Sequence, residues 1–381
     1  MDQPTQIRLM RRIFGFLEAR TTELADQPYV NRVSTYTSGE QLARERRHLF
    51  GEEPLLVGFS SDVREPGAYF VHEESGAPIL VVRQRNGDLR AFLAICRHRG
   101  AQLASGAGQG KGLFSCPYHG WTYNEDGKLV SQPCREGFTG LDGSLLNLTP
   151  LPLVERFGMI FVRQSAGEID LDQHLGGAQQ ELAALGLERY VQFTRRSTEH
   201  AMNWKLVVDT FLEAYHVSFL HQDTLSPTIY GSPAAWDAFG RGGRMVAVRR
   251  SILEARNRPE DEWNLLDHSV VLYQIFPNTV LIHQLDHIEL VQVYPGADVD
   301  HARIVVTLYT PKPVESDRAQ RHFQRNLDLL VLVTETEDFR IGEQMQRGFR
   351  VDPSASVVYG RNEPGLAHYH RMIAATLGEN G

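Results

Sequence analysis

The sequence predicts an α+β protein, a small all-β domain joined to a larger domain of antiparallel sheet packed with helices. Three observations predict it. Between about 54 and 164, short alternating apolar runs are cut by the hairpin signals Asn86-Gly87 and Asp126-Gly127. Beyond 165, strand patterns and long helical patterns occur in mixed order, as expected when helices cover an antiparallel sheet. At 381 residues the chain is long enough for two or three domains with a sizeable core.

Residues 6–20 carry Ile7, Met10, Phe14 and Leu17 on one helical face, and Ser38-Gly39-Glu40-Gln41 opens a second helix over 38–50. These two helices, within 1–53, are assigned to the larger domain. In the β domain, 54–164, Pro78–Arg83 and Phe92–Ile95 read as strands. Gly106 to Gly112 superficially resembles a phosphate loop but lacks Ser or Thr after Lys111, so it reads as a turn. The third segment, 165–381, opens with a helix over 171–187. Strands are expected over 188–199, 269–277, 279–294 and 302–310, and helices over 202–219, 315–347 and 364–377. The Gly- and Arg-rich stretch 237–265 reads as long loops.

Two motifs dominate the β domain, Cys96-Arg97-His98 and Cys116-Pro117-Tyr118-His119, with seventeen residues between them. Two thiolates and two imidazoles are the ligands of a [2Fe–2S] cluster with cysteines on one iron and histidines on the other. Neutral imidazoles raise the cluster potential, which suits an electron relay. Zinc accepts the same donor set. The longer strings Cys96–Ala101 and Cys116–Tyr123, each with one Cys and one His, separate the two readings. They resemble the Rieske clusters of non-haem iron, aromatic ring-hydroxylating oxygenase α subunits.

A second metal set follows. Asp209, Glu213 and His216 stand at i, i+4 and i+7, within about 60° on one helix face. His221 lies about 140° further round. It can share a metal with His216 only if the helix ends or bulges near Val217–Ser218. Two histidines and a carboxylate with open positions form the facial triad of non-haem Fe(II) oxygenases. The strings Asn203-Trp204-Lys205, Glu213-Ala214-Tyr215-His216 and His221 resemble that family's iron helix. The acidic stretch before Gln344-Met345-Gln346-Arg347-Gly348 resembles its second ligand region. Asp338 is the choice for third ligand, with Glu335 and Glu337 as competitors. The resemblance covers about residues 45–350.

The resemblance implies a terminal oxygenase with a [2Fe–2S] Rieske cluster and a mononuclear Fe(II). It implies a homotrimer fed by an NAD(P)H-dependent reductase or a ferredoxin. Glu213, three residues before the first iron histidine, would link His216 to the cluster histidine His119 of a neighbouring subunit. Many members have Asp there, and some relatives acting on quaternary amines have Glu. Asp209 would extend this network. Thr210, Phe211, Val217, His283 and Thr334 flank the ligands as candidate substrate contacts. The expected reaction is hydroxylation or dihydroxylation of a small aromatic or alicyclic substrate by O2, as in aromatic hydrocarbon catabolism. The alternative is oxidative N-demethylation or monooxygenation of a quaternary amine. For that reading, Trp204, Tyr215, Tyr230 and Trp236 are candidates for a cation cage. A Rieske electron carrier without mononuclear iron is the rival outside catalysis.

Composition narrows the partners. A net charge of −8 argues against nucleic acid. No run of about 18 apolar residues marks a membrane span. Three cysteines, two of them in the cluster motifs, argue against a disulfide framework and for a reducing, cytoplasmic setting. Cys134 is left over and is expected to be a packed thiol.

Overall fold

The computed structural model describes residues 1–110 and 112–379, so Lys111 of the glycine-rich turn lies outside the described residues. The chain divides into two compact units. One comprises Met1–Leu49, Asp170–Gly186 and the chain from Tyr190 on; the other comprises Phe50–Ile169 with Leu187–Arg189.

In the smaller unit, alternating apolar positions pair into a five-stranded antiparallel sheet and two three-stranded sheets. Its core contains Leu80, Val82, Phe92, Trp121 and Tyr123 together with Cys96 and Cys116. The cysteines are therefore anchored in the core of this unit.

In the larger unit, seven antiparallel strands run in the order Val191–His200, Ala302–Thr310, Ile288–Pro295, Thr279–His283, Ser269–Ile275, Gly242–Arg249 and Ile229–Phe239. The predicted strand over 279–294 is two strands. Gln284 N–H donates to His287 C=O at 3.0 Å and closes a hairpin between them. The loops expected over 237–265 are largely wrong. Gly242–Arg249 is a strand because Met245-Val246-Ala247-Val248 is buried on both faces. The helix expected over 171–187 breaks at Gly176-Gly177 into Leu171–Leu175 and Gln179–Leu185. A Cβ on Gly176 would come within 2.5 Å of the Gly240 backbone. Cys134 is exposed rather than packed.

The helix Trp204–Thr210 packs on the strands Ile288–Pro295 and Ala302–Thr310. Its Asn-Trp-Lys start has a structural reason. Asn203 caps the helix by accepting from Lys205 N–H at 3.1 Å, and its amide donates to the carbonyls of Tyr36 and Val299. Trp204 Nε1 and Lys205 Nζ both donate to Glu45, at 2.8 and 2.7 Å. Glu45 and Lys205 are fully buried. Burial pushes the Lys205 ammonium below its ordinary range, and Glu45 opposes that shift. Glu45→Gln will cost about 2 kcal/mol, because it replaces charge-assisted bonds to a buried ammonium by neutral ones. A denaturant midpoint lowered at unchanged m-value is the expected result, and a midpoint equal to the parent's would contradict it.

Candidate metal centres and active-site pocket

The two cluster loops are built alike. Cys96 C=O accepts from Gly100 N–H and Cys116 C=O from Gly120 N–H, both at 3.0 Å. Cys96 N–H donates to Ala101 C=O and Cys116 N–H to Trp121 C=O. Each turn closes through a left-handed residue, Gly100 at φ +77° and Gly120 at φ +70°, which explains a glycine four residues after each cysteine. The loops bring like donors together. Cys96 and Cys116 share one core, and His98 Nδ1 faces His119 Nδ1 at 3.1 Å. His98 stacks on buried Trp121 at 4.9 Å between ring centres.

The electrostatics suit metal ligation. Burial pushes the Cys116 thiol up, but backbone N–H groups of Tyr118 and His119, together with the Cys96 side chain, more than offset this, so its net shift is downward toward thiolate. Burial, His119 and Arg99 together lower the His98 pKa, which favours the neutral imidazole a metal needs. Tyr123 supports the first loop: its hydroxyl lies 3.4 Å from Cys96 Sγ and accepts from Arg97 N–H at 3.0 Å. Two thiols beside two imidazoles on matched loops fit a binuclear cluster with sulfur ligands on one iron and nitrogen ligands on the other.

In the larger unit, the helix expected over 202–219 is not continuous. It ends at Thr210, and a short turn of helix restarts at Val217–Leu220. Just before the restart, the Glu213 carboxylate accepts from His216 N–H at 3.2 Å and braces that backbone. The break lies earlier than the expected Val217–Ser218. It removes Asp209, Glu213 and His216 from a single helix face and lets His216 and His221 converge. Opposite them, the long helix Asp317–Val331 passes through a π-helical stretch, Leu332–Asp338, before Phe339–Val351. Such stretches often mark functional sites.

Asp338 Oδ1 lies 3.0 Å from His221 Nε2 and 3.6 Å from His216 Nε2. One donor atom from each of His216, His221 and Asp338 falls within 4.8 Å of the others. Asp338 Oδ1 is buried, and no hydrogen-bond donor is aligned with it. Burial lowers the His221 pKa, but Asp338 and Glu337 outweigh burial and leave it raised. The site therefore attracts a positive charge, and two imidazoles with one carboxylate fit an octahedral ferrous ion with positions to spare.

Around the triad, Glu213 bonds His216 Nδ1 through a short contact. Glu337, a competitor for the third ligand, instead bonds His221 Nδ1 and accepts from Thr224 Oγ1 at 2.9 Å. Both histidines thus have a carboxylate on Nδ1 that leaves Nε2 for a metal. Glu335 turns away to Arg196 at 3.1 Å. Asp209 belongs to a different network. It accepts from Tyr36 Oη at 2.6 Å and His370 Nε2 at 2.9 Å, while Asn31 holds His370 Nδ1. These bonds tie the N- and C-terminal segments to the helix Trp204–Thr210.

A cavity of about 410 Å³ opens on the triad. Thr210, Phe211, Val217 and Thr334 line it as the sequence suggests, but His283 does not. Along Thr279–His283, side chains alternate, and Ile282 and Gln284 face the cavity in its place. The suggested cation cage does not form. Trp204 is held by Glu45, Tyr215 is exposed, Tyr230 lies under Arg250, and Trp236 packs near His368. The polar floor of the cavity was not visible in the sequence. It comprises Arg249, Gln284, Asp286, His287, Glu289 and His322, carried by strands and a helix far apart in the chain.

Comparison with known proteins places this site in a class. Residues 187–379 match the model for the ring-hydroxylating α subunit (catalytic domain), and residues 53–150 match the Rieske [2Fe–2S] domain. The chain belongs to the Rieske non-haem iron oxygenase α subunits, and its cofactors are the Rieske [2Fe–2S] cluster and a mononuclear Fe(II). Within that class it is 31% identical over 188 residues to the carnitine monooxygenase oxygenase subunit of Acinetobacter baumannii, a match that covers 49% of this chain and 51% of the relative. The Escherichia coli K12 carnitine monooxygenase oxygenase subunit is 26% identical over 89% of this chain and 91% of its own. The structure of a quaternary ammonium Rieske monooxygenase bound to L-carnitine matches with a TM-score of 0.79 at 20% identity, over 92% of this chain and 96% of its own. Among the described residues no helix is long and apolar enough to cross a membrane.

Proposed function

We propose that the chain is the terminal oxygenase of a system that oxidises a small N-methylated amine. It inserts oxygen from O2 into a C–H bond beside the cationic nitrogen. His216, His221 and Asp338 would hold the Fe(II), and Cys96, His98, Cys116 and His119 the cluster. The cluster supplies electrons one at a time, and the ferrous ion is where O2 is activated. The chain's own side chains do the rest. Glu213 and Glu337 fix the imidazole tautomers, and the apolar walls exclude water.

The carrying observation is the charge of the cavity lining: four carboxylates, Glu213, Asp286, Glu289 and Asp338, against one arginine, Arg249. Even with Asp338 assigned to the metal, acids remain in excess. Met245, Ala247, Val270, Leu272 and Ile282 supply walls suited to methyl groups. The named activities of the carnitine relatives support the same class. An aromatic hydrocarbon gains nothing from carboxylates in the cavity lining.

Partners follow from the class. A reductase or ferredoxin would deliver electrons to the partly exposed edges of His98 and His119 beside exposed Tyr118. We infer a homotrimer working in the cytoplasm, the latter from the sparse cysteines.

The test is turnover under 18O2 with a supplied reductase, using quaternary and tertiary methylamines alongside naphthalene and indole. Labelled product or formaldehyde from the amines is expected. Turnover confined to the aromatics would reverse the substrate assignment.

A further inference from the structure

Among the described residues the two buried arginines, Arg83 and Arg244, have carboxylate partners, whereas Arg249, half-buried at the active-site cavity, is bonded to an amide instead. Arg83 is bidentate to Glu155 at 2.7 and 2.9 Å. Arg244, fully buried, is held by Glu181 and Asp237. Arg249 ends the strand Gly242–Arg249 and lines the cavity with Met245 and Ala247 from the same face. Among the described residues its side chain makes one hydrogen bond, from Nη2 to Gln284 Oε1 at 2.7 Å, and its Nε is buried without a partner.

The surroundings keep this guanidinium unpaired. Glu289 is the near carboxylate, but it is already occupied. It takes His287 Nε2 and Gln284 Nε2, both at 3.3 Å. His287 in turn holds Asp286 at 2.9 Å. The Gln284 amide is thus a spacer, with its oxygen on Arg249 and its nitrogen on Glu289. Burial pushes the Arg249 guanidinium below its ordinary range and Glu289 works against that shift, yet an arginine stays charged. A half-buried charge with unused donors in a cavity is costly unless a ligand completes it.

We propose that Arg249 is the recognition group for a carboxylate on the substrate, so that the amine oxidised here is a zwitterion and not a simple cation. The proposal rests on the amine reading above. A planar carboxylate matches the N–H fork of a guanidinium, and the contact is charge-assisted at both ends. With the carboxylate held by Arg249, the cationic nitrogen is left for the part of the cavity lined by Glu213, His216, His221 and Asp338.

The experiment is calorimetric binding to the iron-loaded protein. The probes are trimethylammonium alkanoates of two to four carbons, their amides, and alkanoates of equal length without nitrogen. The parent is expected to bind the zwitterion about 100-fold tighter than its amide. Arg249→Gln should bring that ratio close to one, and Arg249→Lys, which keeps charge but not the fork, should leave a ratio of about 10. Equal binding of acid and amide by the parent would overturn the proposal without any variant, and leave amine oxidation standing. So would a ratio unchanged in a folded Arg249→Gln. If the nitrogen-free alkanoates bind as tightly as the zwitterions and need Arg249, the anion site stands and the amine assignment falls.

Discussion

Replacing Asp338 by asparagine is expected to empty the mononuclear site and abolish turnover while leaving the visible spectrum of the cluster unchanged. Among the described residues Asp338 is the one carboxylate whose oxygen approaches Nε2 of both histidines, at 3.0 and 3.6 Å. It is buried, so no water can substitute for the lost charge without cost. An amide oxygen keeps the shape but not the charge that offsets a divalent cation. The parent should contain about three irons and two labile sulfides per chain, and Asp338→Asn about two of each. Glu337→Gln serves as the contrast. Glu337 holds His221 from the Nδ1 side, so its loss should weaken iron by about 10- to 100-fold without removing the site. If Glu337→Gln loses the iron and Asp338→Asn keeps it, the two roles are exchanged.

The chemistry was more legible in the sequence than the geometry that delivers it. Cluster donors sit within three and four residues of each other on short loops, so their identity is a local property. The same holds for His216 and His221. The role of Glu337 was not legible, because adjacent residues on an α-helix diverge by about 100° and only one of Glu337 and Asp338 should face the metal. The π-helical stretch and the position of His221 between the two acids let both reach the same imidazole. Asp209 reads as part of the metal-side stripe only on a continuous helix. Once the helix ends at Thr210, Asp209 answers to Tyr36 and His370, partners more than 150 residues away in the chain. The cavity floor had no signal at all. Arg249, Gln284 and Glu289 meet through strand pairing, with Ile282 opposite Glu289 and Leu272 opposite Ile282, and single-chain periodicity carries no register.

Glu213→Gln is expected to keep both metal centres and slow electron transfer from cluster to mononuclear iron by at least about 100-fold. The argument begins with what Glu213 does locally. One carboxylate takes both the His216 Nδ1 and the His216 backbone N–H, so it sets the tautomer and braces the backbone of His216. Its side chain is 12% exposed. A carboxylate between two imidazoles accepts from both, whereas an amide can accept from one and must donate to the other. Gln can still take the backbone N–H, so the turn and the iron ligand should survive. What would be lost is a carboxylate able to accept from a second imidazole as well as from His216. Metal content and the thermal midpoint read the structural role, and cluster reoxidation after a single reduction reads the coupling. Glu213→Asp, which keeps the acceptor on a shorter stem, should recover part of the rate. A Glu213→Gln protein that reoxidises its cluster at the parent's rate would leave Glu213 as a cap for His216 and move the electron route elsewhere.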